Sequence, residues 1–186
     1  MILALLLLLV GAETYHVDPA RSTVTIEVGK AGAFSFMAGH THEVVGPVTS
    51  GTVTFDREHP ERSRVQLAIA TKTLKVSGKN EPGDDVPKVQ ERMDGPDVLA
   101  IDRYPEIKFE STGILAEFTV NGRLTIRDVS RAISVPVHVE QSADGLRVTG
   151  RFSVKQSEFG IKPISVGGVV AVKDALSISF AMVARR

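Results

Sequence analysis

Apolar and polar residues alternate with a period of two along most of this chain, a pattern that buries one face and wets the other only as a β-strand. It opens at Thr23-Val24-Thr25-Ile26-Glu27-Val28, where Val24, Ile26 and Val28 share a face. It returns in Gly51-Thr52-Val53-Thr54-Phe55, in Arg64-Val65-Gln66-Leu67-Ala68-Ile69 and in Glu106-Ile107-Lys108-Phe109-Glu110. Arg123-Leu124-Thr125-Ile126 and Ile133-Ser134-Val135-Pro136-Val137-His138-Val139 continue it, and Leu146 to Phe152 and Leu176 to Met182 complete the set. About eight such strands, each with one apolar face, are expected to close around an interior as an antiparallel barrel.

Turn chemistry separates the strands. Asn121-Gly122 and Asp144-Gly145 suit tight hairpins because both dipeptides tolerate positive φ, although Asn121-Gly122 also fits a bulge within one long bent strand. Pro136 lies inside a good strand, which implies an edge or an irregular spot in the ladder. One stretch departs from the pattern. Asn80 to Asp85 reads as a loop, and Val86, Val89 and Met93 at i, i+3 and i+7 predict a short helix from Val86 to Met93. Asp85 is placed to cap it, Pro87 falls in its first turn, and Asp94-Gly95-Pro96 stops it. This helical insertion follows the fourth or fifth strand.

Lys+Arg and Asp+Glu both number 22, so the net charge is zero and the chain carries no basic footprint for nucleic acid. Cysteine is absent, which removes thiol nucleophiles, thiolate metal sites and thiol redox chemistry. Met1 to Val10 is almost wholly apolar, too short to span a bilayer as a helix, which takes roughly 20 residues. It suits the apolar part of a secretory signal peptide, and Val10-Gly11-Ala12 resembles a cleavage site. Residues 1–12 are therefore expected to be removed, leaving one domain over 13–186 in the periplasm or secreted. No Lys or Arg precedes the run, so the signal is atypical or the true start lies upstream.

The alternation assigns thirteen inward positions: Val53, Phe55, Leu67, Ile69, Ile107, Phe109, Leu124, Ile126, Val135, Val137, Phe152, Ile178 and Phe180. All are apolar, so an interior with room in it would take an apolar guest. Periodicity leaves two readings open, a barrel filled by its own side chains and a barrel holding one ligand. Enzymatic signatures are weak: there is no Gly-x-Ser-x-Gly, and Gly167-Gly168 between valines reads as a turn or bulge rather than a phosphate cradle.

Several blocks resemble one family. Arg103-Tyr104-Pro105-Glu106-Ile107-Lys108-Phe109 is similar to the Arg/Lys-Tyr-Pro-x-x-x-Phe block of the YceI-like, polyisoprenoid-binding, lipocalin-like family. Gly122 to Arg131 resembles its Gly-x-Leu-Thr-Ile-x-Gly-Val-Thr-Lys/Arg strand and turn, with Asp128 in place of the second glycine. Tyr15-His16-Val17-Asp18 followed by Ser22, and Gly51 to Asp56, resemble two further blocks. The resemblance runs from about Tyr15 to Met182. It implies an all-β, extended eight-stranded antiparallel lipocalin-like barrel in the bacterial periplasm, with a long isoprenoid threaded through it. It implies no established catalysis and no cofactor beyond that lipid, a polyisoprenoid or isoprenoid quinone. A membrane or a membrane protein would donate the lipid, and a homodimer is compatible with the chain.

Gly39-His40-Thr41-His42-Glu43 is richer in histidine than this region of many members. On a strand His40 and His42 project from one face, a workable pair of metal ligands, while Glu43 points the other way. The alternative function is therefore a metal-binding protein or metal-dependent enzyme using His40 and His42, which still needs a third ligand. A structural, protein-interaction barrel is the third class.

Overall fold

The structure is a computed structural model, and it describes residues 11–31, 41–79, 83–115, 118–166 and 170–186. Its strand segments are β1 (Glu13–Val17), β2 (Thr23–Ala31), β3 (His42–Pro47), β4 (Ser50–Phe55), β5 (Arg64–Ala70) and β6 (Lys75–Val76). After the helix α1 (Val86–Asp94) come β7 (Glu106–Ile114), β8 (Thr119–Ile126), β9 (Val129–Ser142), β10 (Gly145–Lys155), β11 (Ser165–Val166) and β12 (Val170–Arg185).

Register reduces these segments to eight strands. β1 and β2 both run antiparallel to β12, with His16 opposite Arg185 and Thr23 opposite Ala181. They are two halves of one strand, bent at the 3-10 turn Pro19–Arg21. β3 and β4 are halves of the next, pairing with β2 and β1 respectively, and β6 prolongs β5 against β3. The ring then continues through β7, β8, β9 and β10 to β12, which meets β1 again. Each strand lies beside its neighbour in sequence, and the antiparallel eight-stranded barrel is closed, as the alternation and the resemblance both predict.

The turns differ from expectation in instructive ways. Asn121 and Gly122 lie inside β8, paired to both neighbours, beside a register shift between Ser111 and Gly113 of β7. The two residues lie within one long strand and not in a hairpin, but the bulge is on the facing strand, where Thr112 of β7 is the extra residue. The hairpin at Asp144 exists, but its two loop residues are Ala143 and Asp144, and the positive φ is carried by Gly145 at 141°. Pro136 marks the point where β9 changes partners: it is the last residue paired with β8, and Val137 is the first paired with β10. It is thus an irregular spot within the ring. At the β8–β9 turn the positive φ falls on Arg127 (59°) rather than on Asp128, so aspartate at the glycine position costs no backbone strain. Arg127 lies over the Tyr104 ring at 5.3 Å, and Asp128 accepts a hydrogen bond from the Tyr104 hydroxyl at 3.2 Å.

Helix α1 forms where predicted and extends through Asp94, with its apolar stripe of Val86, Val89 and Met93 packed on the barrel core. Asp85 stands at the N-cap position as expected, but its side chain makes no capping hydrogen bond. Its carboxylate instead accepts from Lys88 Nζ at 3.1 Å, three residues on in the first turn. Gln90 fastens the helix to the sheet: its Oε1 accepts from the Val76 N–H at 2.9 Å and its Nε2 donates to the Leu74 carbonyl at 3.1 Å.

Buried side chains form two clusters. One gathers Val24, Val44, Leu74, Leu99, Ile126, Phe159 and Ile161 at the end covered by α1. The other gathers Tyr15, Val53, Phe55, Leu146, Val148 and Met182 towards the opposite end, and Phe180 packs against both.

Candidate ligand cavity

A cavity of about 220 Å³ lies within the barrel, between and along these clusters. All thirteen inward positions read from the alternation are on its wall. β4 supplies Val53 and Phe55, β5 Leu67 and Ile69, β7 Ile107 and Phe109, and β8 Leu124 and Ile126. β9 supplies Val135 and Val137, β10 Phe152, and β12 Ile178 and Phe180. Leu67, Ile69, Phe109, Val137, Phe152 and Phe180 point inward yet are only half-buried, because part of each faces the void instead of another side chain. A void of this size and lining is far larger than the 10–15 Å³ or so one water needs, but apolar walls give water too few hydrogen bonds to hold it.

Polar groups on the wall are few and engaged. Ser63 Oγ accepts from the Asp56 N–H at 2.9 Å, and Gln156 Nε2 donates to the Lys173 carbonyl at 2.8 Å. Lys108 touches the cavity boundary, but its ammonium lies outside, 3.2 Å from Glu106.

Residues that alternation does not reach complete the cavity wall at one end and pack in the buried cluster at the other. At the covered end, Met93, Val98 and Leu99 of α1 and its following turn, with Leu74 and Ile161, complete the wall. Met93 was visible in the helical stripe; Leu99 and Ile161 lie in turns with no periodicity. At the other end Tyr15 has no exposed surface. Its hydroxyl donates to the Glu13 carboxylate and accepts from Gln141 Nε2 at 3.1 Å. Arg186 binds the same carboxylate at 2.7 and 2.8 Å and lies 5.8 Å over the Tyr15 ring. The Tyr15 hydrogen bond, and then Arg186, hold the Glu13 carboxyl below its ordinary pKa. Phe118, in a turn at φ 54°, adds its ring 6.2 Å from Phe55.

The histidines do not converge with these groups. His40 lies outside the described residues. His42 begins β3, opposite Val28. Glu43 points to the outer surface, where Lys79 at 3.0 Å and Ser77 at 2.9 Å hold its carboxyl below its ordinary pKa. An anion so engaged is a poor general base. Among the described residues no group of three His, Asp or Glu side chains is close enough to hold a metal ion. His138 is exposed on β9, 3.5 Å from Glu140, and His59 is exposed beside Glu61.

The model of the YceI-like domain matches residues 15–184. The chain belongs to the YceI-like family. A curated relative, the UPF0312 protein of Shewanella oneidensis, is 25% identical over 165 residues, which cover 82% of this chain and 79% of that protein. Among solved structures, BcnA of Burkholderia cenocepacia superposes with a TM-score of 0.68 at 24% identity, over 90% of this chain and 98% of that one. The YCEI protein of Campylobacter jejuni superposes with a TM-score of 0.56 at 16% identity, over 73% and 80% respectively. The two solved structures share the barrel fold of this chain.

Proposed function

We propose that this YceI-like protein binds a long apolar lipid, a polyisoprenoid or isoprenoid quinone, in the barrel interior and carries or sequesters it. It acts as a binding protein rather than an enzyme. One observation carries the reading: the closed barrel encloses an apolar void whose half-buried inward side chains gain by covering their free surface. Each Å² of apolar surface so covered contributes roughly 25 cal/mol. The family resemblance supports the isoprenoid class. The apolar run Met1 to Val10, with Val10-Gly11-Ala12 behind it, supports export to the periplasm or beyond. Since β1 starts at Glu13, processing after Ala12 would leave every strand intact. The lipid would come from a membrane or a membrane-protein donor.

The test is an organic extract of protein isolated from its native host, examined by mass spectrometry beside a Val137→Phe variant. Val137 lines the void, so the added volume displaces a guest without overpacking, which in a filled core costs about 1–3 kcal/mol. The expected result is lipid in the wild type, little in the variant, and near-equal urea stability of the two delipidated proteins. A lipid-free wild type that the substitution markedly destabilises would overturn the carrier reading.

A further inference from the structure

We propose that Gly122 and Gly150 set the girth of the lumen, each providing a recess for one phenylalanine ring, so that a waist remains that passes a single slim chain and rejects a fused ring system. This deepens the lipid-carrier reading and rests on it.

Both glycines face inward on their strands, Gly122 two residues before Leu124 and Gly150 two residues after Val148, and both of those side chains line the cavity. Neither has positive φ, so it is room beside the strand rather than the dihedral angle that favours glycine at both places. A glycine inside a strand weakens it and packs nothing, which leaves space as what it supplies. That space is occupied by aromatic rings. A Cβ at Gly122 would stand 2.4 Å from Cζ of Phe109, 2.6 Å from its Cε2 and 2.6 Å from the Glu110 carbonyl oxygen. A Cβ at Gly150 would stand 2.6 Å from Cζ of Phe180 and 2.8 Å from its Cε1. The far end of each ring therefore reaches over the glycine of the neighbouring strand, into space that a side chain there would fill.

The two rings are on opposite walls. Phe109 is on β7 and Phe180 on β12, four steps apart in the ring of eight. Both also sit where the two buried clusters meet. Phe180 packs against both, and Phe109 pairs across its strands with Leu124 of one cluster and with Leu67, which packs on the other. The recesses thus lie at the junction of the two halves of the lumen, where any ligand long enough to occupy both must pass.

The experiment compares two probes, all-trans-geranylgeraniol as a slim chain and cholesterol as a rigid fused ring, on delipidated wild type, Phe109→Leu/Phe180→Leu and Gly150→Ala. Wild type is expected to prefer the slim chain, and the double leucine variant to gain about ten-fold in cholesterol affinity relative to it, the margin that 1.4 kcal/mol supplies. Gly150→Ala drives the Phe180 ring into the lumen and is expected to weaken the slim chain by a similar factor. The Pro136 carbonyl oxygen, 3.0 Å from the new methyl, crowds that site too, so the leucine variant, which leaves the backbone alone, decides the matter if Gly150→Ala misfolds. An unchanged cholesterol preference in the leucine variant overturns the waist while leaving the carrier reading intact. A wild type that binds neither probe overturns both.

Discussion

The two ends of the barrel are closed by different means. At the Tyr15 end the strands seal themselves: a wholly buried ring is held by Glu13, Gln141 and Arg186, from β1, β9 and the residue after β12. At the α1 end the closure is an insertion, a helix and turn laid across the opening and fastened by apolar contacts and one glutamine. The first closure is built from side chains of the barrel strands themselves and of the residue that follows β12. The second is held by the Gln90 hydrogen bonds and by apolar contacts rather than by strand pairing, so it is expected to open more readily than the wall.

This contrast can be broken first at the rigid end. Tyr15→Ala removes a fully buried aromatic side chain and should cost about 3–5 kcal/mol of global stability, measured by urea denaturation. A loss below ~1 kcal/mol would mean that the end is not sealed by this ring. At the inserted end, Gln90→Leu leaves the Val76 N–H and the Leu74 carbonyl without the partners they have now, at about 1–3 kcal/mol. Hydrogen exchange should speed up at Val76 and across α1 and stay slow at β1 and β12; uniform acceleration would show that α1 is not an independent unit. The smallest effect is acidic. The Glu13 carboxyl, held down by Tyr15 and Arg186, stabilises the fold at neutral pH, above its unfolded pKa. That contribution is lost as pH falls through its lowered folded pKa. The stability gap between wild type and Glu13→Gln should therefore be widest near neutrality and close on acidification, and a pH-independent gap would assign the seal to packing alone.

Much of the barrel was legible in the sequence because strand alternation is a local property. Val53, Leu67, Phe109, Leu124, Val137 and Phe180 could be placed on the inner face without knowing what stood opposite. The helix was legible for the same reason, through Val86, Val89 and Met93. What alternation does not report is how strands bend or meet. The break between β1 and β2 is a tertiary accommodation to β12, and nothing in Asp18 to Ser22 announces that the strand resumes on the same partner. The Tyr15 seal joins residues 126 and 173 positions apart, beyond any local pattern. Asn121-Gly122 misled because its composition fits two uses of glycine. Here the residue is needed for the absence of a side chain beside Phe109, and not for its φ.

That β12 meets β1 has a consequence for how the chain comes to be folded. Hairpins from β4 through β10 pair neighbours in sequence and can form as the polypeptide emerges, but the closing contacts join positions such as Ser22 and Val183, 161 residues apart. Bringing such distant segments together is the entropically slow step of a β-fold. Until it happens, the nascent sheet has two free edges and one apolar face turned to water, the state in which β-proteins most readily associate wrongly. Closure waits for the sixteen residues of β12, and without them the sheet has no partner to close on.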